Sequence, residues 1–270
     1  MTHERRLAAR ELDVAYGDRL VLSGLDLDFE PGAVTAIVGP NGCGKSTLLR
    51  SCARLVRPRA GAVLLDGRAV DATPTKQLAR VLGLLPQNPV APEGITVADL
   101  VGRGRHPHQS GFARWSDRDT EVVASALDST GTGELADRPV DELSGGQRQR
   151  VWIAMALAQE PEVLLLDEPT TYLDVTHQLE VLDLVRELNR RLGTTVIMVL
   201  HDLNLAARYA DNLIAVRDGT VHAVGTPHEV LSPQVVREVF GLECQIIADP
   251  VSLTPLVIPI GRHHATQETS

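Results

Sequence analysis

Residues 33–54, AVTAIVGPNGCGKSTLLRSCAR, run from an apolar segment through a glycine-rich turn into a helix-forming segment. Ala33 to Val38 predicts a buried strand and Lys45 to about Arg54 a helix, so the stretch reads as strand–loop–helix. The turn is Gly39-Pro40-Asn41-Gly42-Cys43-Gly44-Lys45-Ser46-Thr47. It satisfies the G-x-x-x-x-G-K-S/T phosphate-loop pattern in the strand-to-helix setting which that pattern requires. Its glycines let successive backbone N–H groups face phosphate oxygens, and the helix N-terminus adds positive partial charge. Lys45 is expected to hold β- and γ-phosphates, Ser46 a Mg²⁺ ion through its hydroxyl, and Thr47 the α-phosphate. Lysine otherwise occurs only at position 76, every other basic residue being arginine, so Lys45 departs from the habit of the chain.

Upstream, Leu12, Val14 and Tyr16 alternate, as do Leu25, Leu27 and Phe29, with Gly17, Asp18 and Gly24 as turn residues. This predicts an antiparallel entry sheet. Downstream, Ala62 to Leu65, Val81 to Leu85, Val163 to Asp167 and Thr195 to Leu200 are continuous apolar runs, expected as parallel strands covered by helices on both faces. Between Gln87 and about Gln159 the spacing turns helical, at Val97 to Gly102, Asp119 to Leu127 and Gly145 to Ala158, and no strand is expected. The division expected is therefore a core of residues 1–88 and 160–240, an inserted helical subdomain of residues 89–159, and a tail of residues 241–270 with three prolines and a frayed polar end. Residues 103–118, RGRHPHQSGFARWSDR, suggest an ordered surface loop.

The chain has 270 residues, 43% hydrophobic and 23% charged, which fits a folded globular protein and opposes disorder. Runs such as Val196 to Leu200 fall far short of the roughly 18 apolar residues that span a bilayer, and Met1 to Arg10 has no apolar core of a secretory signal. A cytoplasmic location follows as the expectation. A net charge of −9 argues against nucleic acid as a partner. Cys43, Cys52 and Cys244 form no metal-type or disulfide pattern, and Cys43 is a candidate for alkylation without a chemical role. His106, His108, His263 and His264 lack accompanying ligands at metal spacing.

Val163 to Glu168, VLLLDE, is a buried strand ending in two acids, which would lie at the carboxyl edge of the sheet where ligands of open α/β folds collect. Asp167 suits the metal-side carboxylate of a phosphate-loop enzyme, and Glu168 the group that polarises water attacking the γ-phosphate. With Leu143-Ser144-Gly145-Gly146-Gln147 ahead of them, the chain resembles the ABC ATPase family, whose signature sequence this is. The resemblance implies an α/β phosphate-loop NTPase fold: a RecA-like core with an antiparallel β subdomain and an inserted helical subdomain. It implies that the signature loop completes the ATP site of the opposite subunit in a head-to-tail homodimer. Residue by residue, Gln87 matches the glutamine that touches Mg²⁺, Tyr16 the aromatic that stacks on adenine, Asp174 of Thr171-Tyr-Leu-Asp174 the dimer-contact loop, and His201 the switch histidine.

Finer stretches are similar to the ATPases of bacterial ferric-siderophore importers: Val101-Gly-Arg-Gly-Arg-His-Pro-His108, Trp115 and Asp117, Leu135 to Leu143, Thr170 to Gln178, His201-Asp-Leu-Asn204, Ala206 to Asp211, Val239-Phe-Gly-Leu242, and Asp249-Pro250. The resemblance runs to about Gly261 and implies two permease subunits, an indirect substrate-binding protein, and attachment at the cytoplasmic face of the membrane. Cobalamin and haem importers use similar ATPases and remain open here, as does a soluble ABC ATPase that works without a permease. A regulator without turnover is disfavoured, because Glu168 and His201 are both present.

Overall fold

The computed structural model describes residues 5–109 and 115–261. Two sheets organise it. The first has four antiparallel strands in the order β2-β1-β4-β5, where β1 is Leu7–Tyr16, β2 Arg19–Asp28, β4 Ala60–Leu65 and β5 Arg68–Ala69. The second has six strands, β10-β9-β3-β8-β7-β6, made of β3 Val34–Val38, β6 Leu82–Leu85, β7 Val163–Asp167, β8 Thr195–Val199, β9 Asn212–Arg217 and β10 Thr220–Gly225. All neighbours in it are parallel except β9 and β10.

Helix α1 (Lys45–Cys52) lies between the sheets, where Leu48, Leu49 and Cys52 join Leu12, Leu22 and Leu25 of the first sheet and Ile37, Leu165 and Ile197 of the second in one buried cluster. The opposite face of the large sheet, including Ala36, Leu164, Leu166 and Met198, packs on the helices that follow β6 in the chain. Successive strand residues thus enter different cores, so an alternating polar face is absent and the sequence reads as an unbroken apolar run.

After α2 (Thr75–Val81) and β6 come α3 (Val97–Gly102), α4 (Asp117–Ser129) and α5 (Gly145–Ala158); α6 (Val175–Leu192) and α7 (Leu203–Tyr209) follow β7 and β8. Ser116 and Ser144 cap α4 and α5, each in a reciprocal pair with Asp119 or Gln147, which satisfies otherwise orphaned backbone donors. The chain closes with α8 (Pro227–Val230), α9 (Pro233–Phe240) and a hairpin of β11 (Cys244–Ala248) and β12 (Pro255–Pro259).

Three expectations change. Ala62 to Leu65 belongs to β4, which pairs antiparallel with β1, and its strand buries only alternate residues because one face alone is covered. Val81 closes α2, so β6 begins one residue later than read. The segment after Gly241 forms a hairpin fastened to α7: the Asn204 amide donates to Val257 O at 3.2 Å and accepts from Val257 N at 2.7 Å, and Arg208 meets Asp249 at 2.5 Å.

The 103–118 segment, of which residues 110–114 lie outside the described residues, has an internal anchor. Arg105 is 3% exposed and donates to Asp119 at 2.9 Å, to Ala158 O at 2.8 Å and to Glu160 at 2.8 Å, tying α4 to the end of α5. Its guanidinium, and then the Ser116 hydroxyl, hold the Asp119 carboxyl down to about 2 against a usual 3.8. The stabilisation this pair provides is present above pH 3.8 and is lost as pH falls towards 2. Replacing Arg105 leaves a buried carboxylate without its partner, a change worth about 3–5 kcal/mol. Urea unfolding of Arg105→Ala at neutral pH should show a loss of that size, with a flatter acid limb than the parent; an unchanged midpoint would contradict the anchor.

Candidate active site

The phosphate loop joins β3 to α1, and two of its glycines are fixed by contact. At Gly39, with φ of 154°, a Cβ would fall 2.1 Å from Val216 O, and at Gly44, with φ of 109°, 2.5 Å from Leu22 Cδ2. Both approaches press the loop onto the sheets, so its backbone is held before any ligand arrives. Asn41 and Gly42 are exposed at the crest, and Pro40 half-exposed beside them. Lys45 is only 5% exposed, and its Nζ donates to Gly39 O and Pro40 O at 2.9 Å each, which places the ammonium under the loop. Cys43 does not fit the alkylation expected of it: its thiol is buried, and burial pushes its pKa up and keeps it protonated.

Ser46 Oγ donates to Asp167 Oδ1 at 2.7 Å, joining the start of α1 to the end of β7. Asp167 Oδ2 is buried with no hydrogen bond, and the Arg50 guanidinium is a charge contact 3.3 Å away. A hydroxyl and a buried carboxylate with an unsatisfied oxygen form a hard-oxygen donor set of the type Mg²⁺ takes.

Glu168 sits in the left-handed region at φ of 55°, a strain of about 1–3 kcal/mol for a non-glycine residue. Its Oε2 accepts from Gln87 Nε2 at 2.5 Å and from Thr171 Oγ1 at 3.0 Å, while its Oε1 lies 2.7 Å from His201 Nε2. Burial acts to raise the carboxyl pKa, yet the hydrogen bonds from His201, Thr171 and Gln87 prevail and hold it below the usual range. Glu168 is therefore ionised at neutral pH and faces the exposed His201.

The structure thus brings Lys45, Ser46, Asp167, Glu168, Gln87 and His201 together along one edge of the large sheet. Tyr16 closes β1 at the hairpin turn and is 50% exposed, so its ring is not consumed by the core. Thr47 follows Ser46 in α1 and lends its carbonyl to Ser51 at 2.8 Å. Ser144 and Gln147 hydrogen-bond each other at the start of α5, with Gly145 and Gly146 between them, and Asp174 caps α6. The sequence reading missed Arg50 as a neighbour of Asp167, and it named Thr171 only as part of the dimer-contact loop and not as a partner of Glu168. Arg50 stands one helical turn after Ser46, and Thr171 three residues after Glu168; both spacings were available as signals.

The ABC transporter family profile matches residues 22–171. The chain is 56% identical over 256 residues to the achromobactin transport ATP-binding protein CbrD of Dickeya dadantii, covering 95% of each. It is 53% identical over 259 residues to the petrobactin import ATP-binding protein FpuD of Bacillus anthracis, covering 96% of this chain and 95% of that one. Among solved structures, an ABC transporter chain in an inward-facing conformation superposes with a TM-score of 0.83 at 30% identity, over 96% of this chain and 99% of that one. The bacterial ABC transporter cassette MJ0796, solved as a dimer, superposes with a TM-score of 0.71 at 28% identity, over 82% and 98%.

Removing the Lys45 ammonium takes away charge-assisted hydrogen bonds worth about 1.5–3 kcal/mol. Lys45→Ala should bind ATP about 10- to 100-fold more weakly in a fluorescent-nucleotide titration while its circular dichroism stays native. Parent-like affinity would count against this loop as the phosphate site.

Proposed function

The chain belongs to the ABC transporter family of ATP-binding subunits, and from that premise we propose that it powers the inward transport of ferric siderophores across the cytoplasmic membrane. It is an ATP-hydrolysing importer subunit. The observation that carries the catalytic reading is the convergence of Gln87, Thr171 and His201 on the Glu168 carboxylate. The siderophore as cargo is supported by the relatives, whose names specify achromobactin and petrobactin over nearly the whole of this chain.

In this reading the backbone of Gly39 to Lys45 and the Lys45 ammonium bind the ATP phosphates, and Tyr16 stacks on adenine. Ser46, Asp167 and Gln87 would hold Mg²⁺, which would supply positive charge to neutralise the ATP phosphates. Glu168, ionised and oriented by its three partners, accepts hydrogen bonding from water and aligns it with the γ-phosphate. His201, on its opposite oxygen, keeps that carboxylate aimed and contacts the γ-phosphate. Ser144, Gly145, Gly146 and Gln147 serve the ATP of the opposite subunit, with Asp174 at the same contact. Two copies close on ATP and part after hydrolysis, and the helical subdomain of residues 89–159 passes that movement to two permease subunits. A substrate-binding protein delivers cargo on the far side. Among the described residues no helix is long and apolar enough to cross a membrane, which suits peripheral attachment at the cytoplasmic face through the permeases.

The reading is tested by uptake of radioiron, presented as several ferric siderophores, in iron-starved cells whose sole copy is either the parent or Glu168→Gln. Uptake should fall to background with Glu168→Gln for at least one siderophore. Unchanged uptake of all of them would redirect the cargo to haem or cobalamin, to be tried in the same strains.

A further inference from the structure

The signature turn rests on the start of α6 in its own chain. Asp174 Oδ1 accepts from the His177 backbone N–H at 2.9 Å and lies 2.7 Å from His177 Nδ1. A carboxylate offers only acceptors, so Nδ1 carries the proton and the ring plane is set. That ring lies against Gly146: a Cβ there would stand 2.2 Å from His177 Cδ2 and 2.8 Å from Cγ, while one at Gly145 would come no nearer than 3.5 Å to Leu173.

Glycine at position 146 therefore needs a reason other than its backbone. Gly146 lies in the first turn of α5 and is not among the residues of positive φ. In a helix, glycine costs about 1 kcal/mol relative to alanine. The imidazole of His177, held by Asp174, occupies the space that a side chain at Gly146 would need. Asp174, His177 and Gly146 form a chain of contacts from the cap of α6 to the first turn of α5.

We propose that His177 is a positioning residue: its imidazole, oriented by Asp174, seats the Ser144–Gly146 turn on the start of α6, so that the signature and Asp174 meet the opposite subunit as one rigid edge. The proposal rests on the reading that Ser144 acts across the dimer. Truncating His177 loosens the turn against α6 and misaligns two contacts that must engage together, without touching the phosphate loop of the same chain.

The test is ATP-dependent dimerisation of the full chain in a Glu168→Gln background, followed by sedimentation, with ATP affinity of the dilute monomer measured in parallel. His177→Ala should weaken dimerisation about tenfold and leave monomer affinity unchanged; His177→Ser replaces it should the alanine variant fail to fold. Gly146→Ala should be more severe, about 100-fold. Adding His177→Ala to Gly146→Ala should restore dimerisation above that of Gly146→Ala alone, because removing the ring makes room for the methyl group. A merely structural role for His177 predicts additive losses, and a double variant no better than Gly146→Ala overturns the proposal, as does unchanged dimerisation of His177→Ala. Ser144→Arg separates the two layers of argument. If it fails to block dimerisation, the cross-dimer reading itself is wrong; if it blocks while the double variant shows no rescue, only the role of His177 falls.

Discussion

The candidate site is organised around one ionised carboxylate, that of Glu168, held in a left-handed backbone conformation that a non-glycine residue rarely adopts. Hydrogen bonds from the segments following β6, β7 and β8 converge on it through Gln87, Thr171 and His201. They can do so because β3, β8, β7 and β6 are adjacent and parallel in that order. Their carboxyl ends deliver the phosphate loop, the histidine, the acid pair and the glutamine to one edge, side by side. The parallel sheet is what turns four distant stretches of sequence into a single site.

The parts of this site that were legible in the sequence are those whose chemistry is local. The phosphate loop announces itself because the turn, the lysine and the helix cap are contiguous, and the Asp167-Glu168 pair because a wholly apolar strand ends in two charges. The β4 strand misled, since a short apolar run has the same composition whether it joins a parallel or an antiparallel sheet, and its single covered face emerges only from its pairing with β1. Arg105 was hidden inside a segment of surface-like composition because its partners Asp119, Ala158 and Glu160 are remote in sequence. The C-terminal hairpin was obscured by its prolines, of which Pro250 lies in the turn and Pro255 and Pro259 stand at the two ends of β12, where a strand tolerates them.

The near absence of lysine acquires a physical sense from the ion pairs. Arg186 grips Asp211 with both terminal nitrogens, at 2.6 and 2.5 Å, while Asp211 accepts from Val34 N at 2.8 Å, so one guanidinium joins α6, the start of β3 and the approach to β9. Arg105 likewise reaches three acceptors on two elements. A planar fork with five donors suits such joints, whereas a compact ammonium suits a phosphate cluster approached from one side. Arginine fastens these joints, whereas the Lys45 ammonium lies under the phosphate loop, bonded to Gly39 O and Pro40 O.

The pairing of β6 with β7 also constrains how the chain folds. Leu82 and Val163 are partners in register although the helical segment α3–α5 lies between them in sequence. Bringing the ends of so long a loop together costs chain entropy before any strand contact compensates, though each doubling of length adds only about 0.6 kcal/mol. Packing of that helical segment, clamped by Arg105, shortens the gap that the strand pairing has to close. The seating of Gln87 at the sheet edge is therefore coupled to the packing of the inserted helices, because the β6–β7 pairing that carries it spans them.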